Sequence, residues 1–362
     1  MIILSSVSAL LQGLFVVNAL GFSMSSNALL NPVKMAQHLE AGKPILGEFT
    51  SPKTPLASWM STVHDSTQIT AINVPGTHDT CTWNYTGPDE STYRTQDRSV
   101  FDQLNSGIRF LDIRFGLDEN TGVLRVYHAD TLLSSTASLE DVLWGLYFFL
   151  DHHPSETLLV SMKVDHGDNS DSVQQTALSY ITGSDVSTYW IQSTSLPQSL
   201  KAARGKIILF RRFGLDTQFT PVGINVASGW TDNNGDFSIA YNGNQTAYIE
   251  DLYQLNGDAP EVSPFTKVET KFTAITTHIE NSRAASNTTQ VFISFASGYG
   301  DGVGDVLSPR GLAEGNTTLG IVGINAKMNS WLSTQKKASR MGIVLYDFFE
   351  SEPGMVQKTI GL

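Results

Sequence analysis

Cysteine is almost missing from this sequence. Cys81 is the single one in 362 residues, so no internal disulfide can form and stability has to come from a buried core. Long apolar runs are missing too. The most hydrophobic stretch, LLQGLFVVNALGF near the N-terminus, is too short and too interrupted by polar residues for a membrane span. Positive charge is scarce, with 23 Lys and Arg against 35 Asp and Glu and a formal net charge of −12. That balance argues against nucleic acid as a partner and against strong electrostatic adhesion to anionic membranes, leaving exposed apolar and aromatic loops for any membrane contact. No Gly-x-Gly-x-x-Gly run follows the first predicted strand, which argues against a doubly wound dinucleotide-binding sheet. Internal repeats and low-complexity tracts are also absent.

What is present is enough apolar material, 41% of residues, for one large core of barrel size. The first 23 residues carry no charged side chain, and small residues occur around Val17 to Gly21. Residues 1–21 are therefore predicted to be a signal peptide, 22–50 a polar N-terminal extension, and 51–362 a single domain with no linker dividing it. Asn-x-Ser/Thr triplets at Asn84, Asn244, Asn287 and Asn316 support export by the eukaryotic secretory route and an extracellular glycoprotein. A monomer is expected. Cys81 is read as a small, partly buried residue rather than a nucleophile.

Short β-like runs bounded by Gly or Pro follow one another: QITAINV ending at Val74, GIRFLDIRF from Gly107, GVLRVYH from Gly122, TLLVSMKV from Thr157, GKIILFRRF from Gly205, QVFISFA from Gln290 and MGIVLYDFF from Met341. Helical patterns separate them. The clearest starts at Ser138, with Asp141 completing a capping box and Leu139, Val142, Leu143, Leu146 and Leu150 at helical spacing before Pro154. Others run from about Asp171 to Ile181, from Phe265 to about Asn281, and from near Leu319 to Lys336. Alternation of strand and helix over most of the chain predicts an α/β fold, a (β/α) barrel.

Titratable residues recur near the ends of the apolar runs: His78 and Asp79 after the first, Arg114 in the second, His128 after the third, then Lys163, Arg212 and Asp347. In a parallel barrel these ends share one face. Two histidines, two carboxylates and an arginine suit phosphodiester cleavage by a neighbouring hydroxyl. One imidazole takes the proton of the attacking hydroxyl and the other protonates the leaving oxygen. Carboxylates fix the rings, and a forked guanidinium holds the phosphate as charge gathers. Taken singly, each residue also has an ordinary reading: a cap, a turn, a solvated strand arginine. His152 and His153, before Pro154, are read as helix-end residues.

The segments AINVPGTHDT, FDQLNSGIRFLDIRF, VYHA and FLDHHPSETLLVSMK, in this order and spacing, resemble the X-domain signature of phosphatidylinositol-specific phospholipases C, and most of all that of the small bacterial enzymes. GKIILFRRF and RMGIVLYDFF follow in the expected order. The resemblance implies a distorted (β/α)8, TIM-like barrel. It implies attack of the inositol 2-hydroxyl on phosphorus, releasing diacylglycerol and a cyclic inositol phosphate. By resemblance His78 is the general base, oriented by Asp347. His128 is the general acid, with Asp79 bridging towards it, and Arg114 holds the phosphate. Lys163 and Arg212 match head-group contacts, and Asp232, in GWTDN, is a further candidate. Calcium-dependent members carry a carboxylate where Arg114 stands, so the resemblance implies no metal and no cofactor. The implied partner is an inositol phospholipid, or a glycosylphosphatidylinositol (GPI) type glycolipid, at a membrane surface. Trp83 is the aromatic nearest the loop and a candidate membrane contact, although a glycan on Asn84 conflicts with that.

Two other functions stay open at this point. One is a glycerophosphodiesterase or sphingomyelinase D-like enzyme, whose metal-binding carboxylates near the first histidine are disfavoured by Arg114 and Lys163. The other is a catalytically silent module that binds inositol lipids or glycolipids on the same barrel.

Overall fold

The β-like runs become strands whose burial explains their composition, since strands covered on both faces are apolar almost throughout. In the computed structural model these are β1 (Val74–Thr77), β2 (Phe110–Asp118), β3 (Val123–His128), β4 (Leu158–His166) and β5 (Ile207–Arg212), followed by β6 (Ile224–Asn225), β7 (Phe237–Asn242), β8 (Gln245–Glu250), β9 (Val291–Ala296) and β10 (Ile343–Tyr346). The structure describes residues 30–362 apart from 51–54, Asn244, 256–261, 301–306 and Ala338. The predicted signal peptide and the Asn244 sequon lie outside the described residues.

Among the described residues, eight strands lie parallel in the order β6-β5-β4-β2-β1-β10-β9-β8. Two hairpin partners run antiparallel, β3 on β2 and β7 on β8. This is the distorted (β/α)8 barrel expected, with its seam between β6 and β7. The run GVLRVYH is thus a return strand rather than a barrel stave. The run QITAINV is mostly a 3₁₀ turn, Ile69–Ala71, and pairing begins only at Val74.

Alternation along each strand separates two cores. Side chains such as Leu111, Ile113, Val160, Met162 and Leu209 pack outward against helices. Val74, Phe110, Leu159, Ile208, Phe210, Ile293, Phe295, Ile343 and Leu345 fill the barrel. The helices on the outer layer are α1 (Pro32–Leu46), α2 (Leu139–His152), α3 (Asp171–Thr182), α4 (Pro264–Ala284) and α5 (Ile324–Thr334). The capping box at Ser138 and Asp141 forms as predicted. α5 is shorter than its pattern, because Ile321–Val322 pairs with Gly315–Asn316 in a small hairpin instead. Within the segment set apart as a polar extension, α1 buries Met35, Ile45 and Leu46 in the outer core and its His38 Nδ1 lies 2.7 Å from Asp141.

Candidate active site

The period of two that fills the barrel also builds the site above it. Counting inward positions towards the C-terminal strand ends, Val74 and Gly76 lead to His78, Phe110 to Asp112 and Arg114, Leu159 to Ser161 and Lys163, Phe210 to Arg212, and Leu345 to Asp347. Register sets the neighbours. Arg114 lies opposite Lys163, and Lys163 opposite Arg212, so three cations stand in line across three strands. β4 occupies one edge of β2. The other edge is taken first by β1, with Thr77 opposite Leu111, and then by the returning β3, with Phe115 opposite Val126. The ends of β1 and β3 therefore face each other, and this brings His78 to His128.

Asp79 is the hinge of the resulting cluster. Its Oδ2 lies 3.0 Å from Nε2 of both His78 and His128, and its Oδ1 lies 2.7 Å from Arg114 Nε. The imidazoles and the guanidinium keep 13–15% of their side-chain surface exposed, while Asp79 and Asp347 keep 1%. The bases and the cation thus face the mouth, and the carboxylates lie beneath.

Hydrogen-bond partners fix the tautomers. Arg114 Nη2 can only donate, so His78 Nε2, 2.9 Å away, is the unprotonated nitrogen, and Nδ1 donates to Asp347 Oδ1 at 2.9 Å. His128 Nδ1 donates to the Tyr93 carbonyl at 2.8 Å, which turns its Nε2 to Asp79. A proton between His128 and Asp79 is available to a leaving group in either location.

Electrostatics support this division. Burial, and then the Arg114 charge, hold His78 well below the ordinary histidine range, as a proton acceptor requires. Burial pushes Asp79 up to about 6, and burial together with Asp79 raises Asp347. Loss of hydration would raise Asp112 too, but Arg114 and Arg212 outweigh it and keep Asp112 ionised. Asp165, desolvated but facing Arg114 and Lys163, is held at about 2. Cys81 is buried and its thiol is driven well above its usual range, so it is no nucleophile.

One oxygen or nitrogen each of His78, Asp79 and Asp112 come within 4.8 Å of one another, a spacing that suits a metal ion. Arg114 already reaches all three, with Asp112 Oδ2 at 3.2 Å. A guanidinium placed there leaves a divalent ion to compete with a fixed cation.

The outer head-group candidates divide. Lys163 pairs with Asp165, and Arg212 lies 3.5 Å from Asp112 and stacks 3.6 Å above the Trp230 ring. Asp232 stands exposed outside this cluster and accepts from the Tyr253 hydroxyl at 2.9 Å. A second carboxylate acting on Arg212, besides Asp112, is the buried Asp251, held by Trp230 Nε1 at 2.9 Å. Trp83 is half-buried, donating to the Ile45 carbonyl at the end of α1. His152 and His153 are far from the site, bonded to the Phe148 carbonyl and to Ser58. Sequence reasoning missed Asp112, Asp165 and Asp251. Asp112 and Asp165 stand two residues from Arg114 and Lys163, so alternation alone places them on the same face.

Residues 75–213 match the family model described as phosphatidylinositol-specific phospholipase C, X domain. The chain is 28% identical over 247 residues to a 1-phosphatidylinositol phosphodiesterase of Staphylococcus aureus, a span covering 66% of this chain and 74% of that protein. Over 176 residues it is 34% identical to the Listeria monocytogenes protein of the same description, covering 46% and 50%. A pentafluoro-Phe-incorporated S. aureus phosphatidylinositol-specific phospholipase C superimposes with a TM-score of 0.69 at 25% identity, over 84% of this chain and 97% of that one. The L. monocytogenes enzyme gives 0.59 at 25% identity, over the same shares.

Proposed function

The chain belongs to the phosphatidylinositol-specific phospholipase C family, of the bacterial type, and on that premise we propose that it cleaves its lipid without a metal, using His78 and His128 as paired base and acid. It is a phosphoric diester hydrolase acting on phosphatidylinositol. The observation that carries the assignment of roles is the pair of imidazoles bracketing Asp79 at 3.0 Å, each ring fixed from behind by a different acceptor.

In the first step His78 Nε2 takes the proton of the inositol 2-hydroxyl, and that oxygen bonds to phosphorus. The bond from phosphorus to the diacylglycerol oxygen breaks. This oxygen takes the proton held between His128 and Asp79, which leaves inositol 1,2-cyclic phosphate and diacylglycerol. Arg114 faces the charge that gathers on the phosphate oxygens, and Lys163 and Arg212 flank it for the head group. Water, activated by the reverse proton movements, then opens the cycle.

Release of inositol 1,2-cyclic phosphate from phosphatidylinositol tests this directly. Wild type is expected to form it at an unchanged rate after chelator treatment. His78→Ala and His128→Ala should each lose at least about 100-fold in kcat. Activity abolished by chelator and restored by Ca²⁺ defeats the metal-free reading, and absence of turnover on any inositol lipid favours the silent binding module.

We extend the proposal to GPI-type lipids, whose inositol phosphate offers the same hydroxyl and phosphorus. Release of a GPI-anchored reporter from vesicles is the test. Export, glycosylation and a monomeric state belong to the same reading. Asn84 and Asn287 are exposed, as acceptor sites must be. Among the described residues, the exposed large apolar side chains are few: Val33, Phe265 and Leu362 stand on three separate segments, and Leu319 and Val322 share the small hairpin before α5, which favours a monomer.

A further inference from the structure

His78 and Asp347 occupy equivalent places, each immediately after the last residue of adjacent parallel strands, with Thr77 opposite Tyr346. The residue that follows each of them, Asp79 at φ 43° and Phe348 at φ 45°, is a non-glycine residue in the left-handed region. The sheet ladder fades at this point, since the His78 N–H reaches the Tyr346 carbonyl only at 3.3 Å. Some other group has to hold two strained turns in a fixed relation.

Two buried carboxamides do so. Gln96 donates from Nε2 to the carbonyls of both His78 and Tyr346, at 2.8 and 2.9 Å, and thereby ties the ends of the two strands together. Asn325, at the start of α5, donates from Nδ2 to the carbonyls of Asp347 and Phe348, at 2.8 and 3.1 Å. The residue before Gln96 joins in, as the Thr95 carbonyl accepts from the Phe348 N–H at 2.9 Å. Both side chains are fully buried, and neither Gln96 Oε1 nor Asn325 Oδ1 finds a hydrogen-bond partner among the described residues. A buried amide with its oxygen unmet is a poor space-filler. What it contributes is its N–H groups, and every backbone acceptor they reach belongs to the base pair or a residue next to it.

We propose that Gln96 and Asn325 are positioning residues that set the contact between His78 Nδ1 and Asp347 Oδ1 by holding the main chain on both sides of it. The inference rests on the reading of His78 as base and Asp347 as its orienting partner. Neither amide touches the substrate side. Asp347, just beyond β10, and the Phe295 ring of β9 face His78, and Arg114 and Asp112 face it from β2. Asp79 and His128 also border it, and the Arg212 charge acts on it from β5.

The test is a double-mutant cycle on phosphatidylinositol with Gln96→Met and Asp347→Asn. Gln96→Met is expected to lower kcat about tenfold or more, the scale of a misplaced catalytic group, with KM within about twofold. In the Asp347→Asn background the same change should cost less than about threefold, because the contact it serves is already gone. The acid limb of the kcat profile should move to higher pH, since a loosened His78 regains hydration. Equal factors in both backgrounds with the limb unmoved would show a packing role and overturn the proposal. Asn325→Ser repeats the cycle if Gln96→Met does not fold. Nitrogen-15 NMR of the His78 ring in the free protein decides the matter even if no inositol lipid is cleaved. Its Nδ1–H signal should lose hydrogen-bonded character in either variant, and an unchanged signal and titration overturn the inference independently of substrate.

Discussion

Burial moves the Asp79 carboxyl from 3.8 to about 6, and Arg114 at 2.7 Å only partly offsets it. A folded state that holds a proton more tightly than the unfolded chain is favoured at low pH. The contribution from Asp79 is therefore complete below pH 3.8 and is lost as pH rises to about 6. The loss amounts to roughly 3 kcal/mol. Asn carries no proton to lose. Asp79→Asn is thus expected to match wild type in stability near pH 3.5 and to exceed it progressively towards pH 7, by about 2–3 kcal/mol, while kcat falls at least about 100-fold. Urea unfolding at the two pH values reads the first effect and product release the second. A stability gain independent of pH would show that the carboxyl is not strained by burial. On the proposed mechanism, the buried acid is held against the stability of the fold because its proton is used between the two imidazoles.

β1 brings His78 to the site through a strand of only four residues, VPGT, and its packing depends on Gly76. A Cβ there would meet Phe110 Cβ at 2.8 Å and the Phe110 carbonyl at 2.9 Å, the latter a backbone atom that cannot swing aside. Gly76→Ala must part β1 from β2, and with them His78 from Arg114 and Asp112. We expect a loss of about 1–3 kcal/mol in stability, the range for overpacking a core. A fall in kcat should persist in conditions where the variant is fully folded by circular dichroism. Unchanged kcat in the folded variant would mean that β1 and β2 do not jointly fix the base. Elements of this kind were legible in the sequence because both faces are apolar and the candidate site residues continue the inward period. The hairpin β7–β8 was not legible: Ile239 is the one residue of β7 that is buried, so its run lacks the apolar signal of a barrel strand. α1 escaped notice because Gly42 and Pro44 interrupt its pattern, although both lie inside the helix. The side chains proposed as catalytic stood out by chemistry and order. Gln96 and Asn325 did not, since a buried amide serving main-chain carbonyls has no sequence signature apart from the fold that buries it.

The molecule as a whole sets a different condition on access to its substrate. Its net charge is −12, and the charge-free first 23 residues contribute nothing to that figure, so it applies with or without them. The cations that matter, Arg114, Lys163 and Arg212, are gathered at the mouth and paired with Asp79, Asp112 and Asp165, so little of their field extends outward. At distances beyond a Debye length, about 8–10 Å at physiological salt, an anionic bilayer meets a negative protein. Close in, a single phosphate meets three aligned cations. Vesicle sedimentation should accordingly show weaker binding as phosphatidylglycerol replaces phosphatidylcholine. Added salt should restore binding by screening the repulsion, the reverse of a protein with a basic membrane patch. With a short-chain soluble substrate, where only the local site acts, salt should instead lower kcat/KM. Binding that strengthens with phosphatidylglycerol and falls with salt would show that a local basic face outweighs the net charge, and would overturn this expectation.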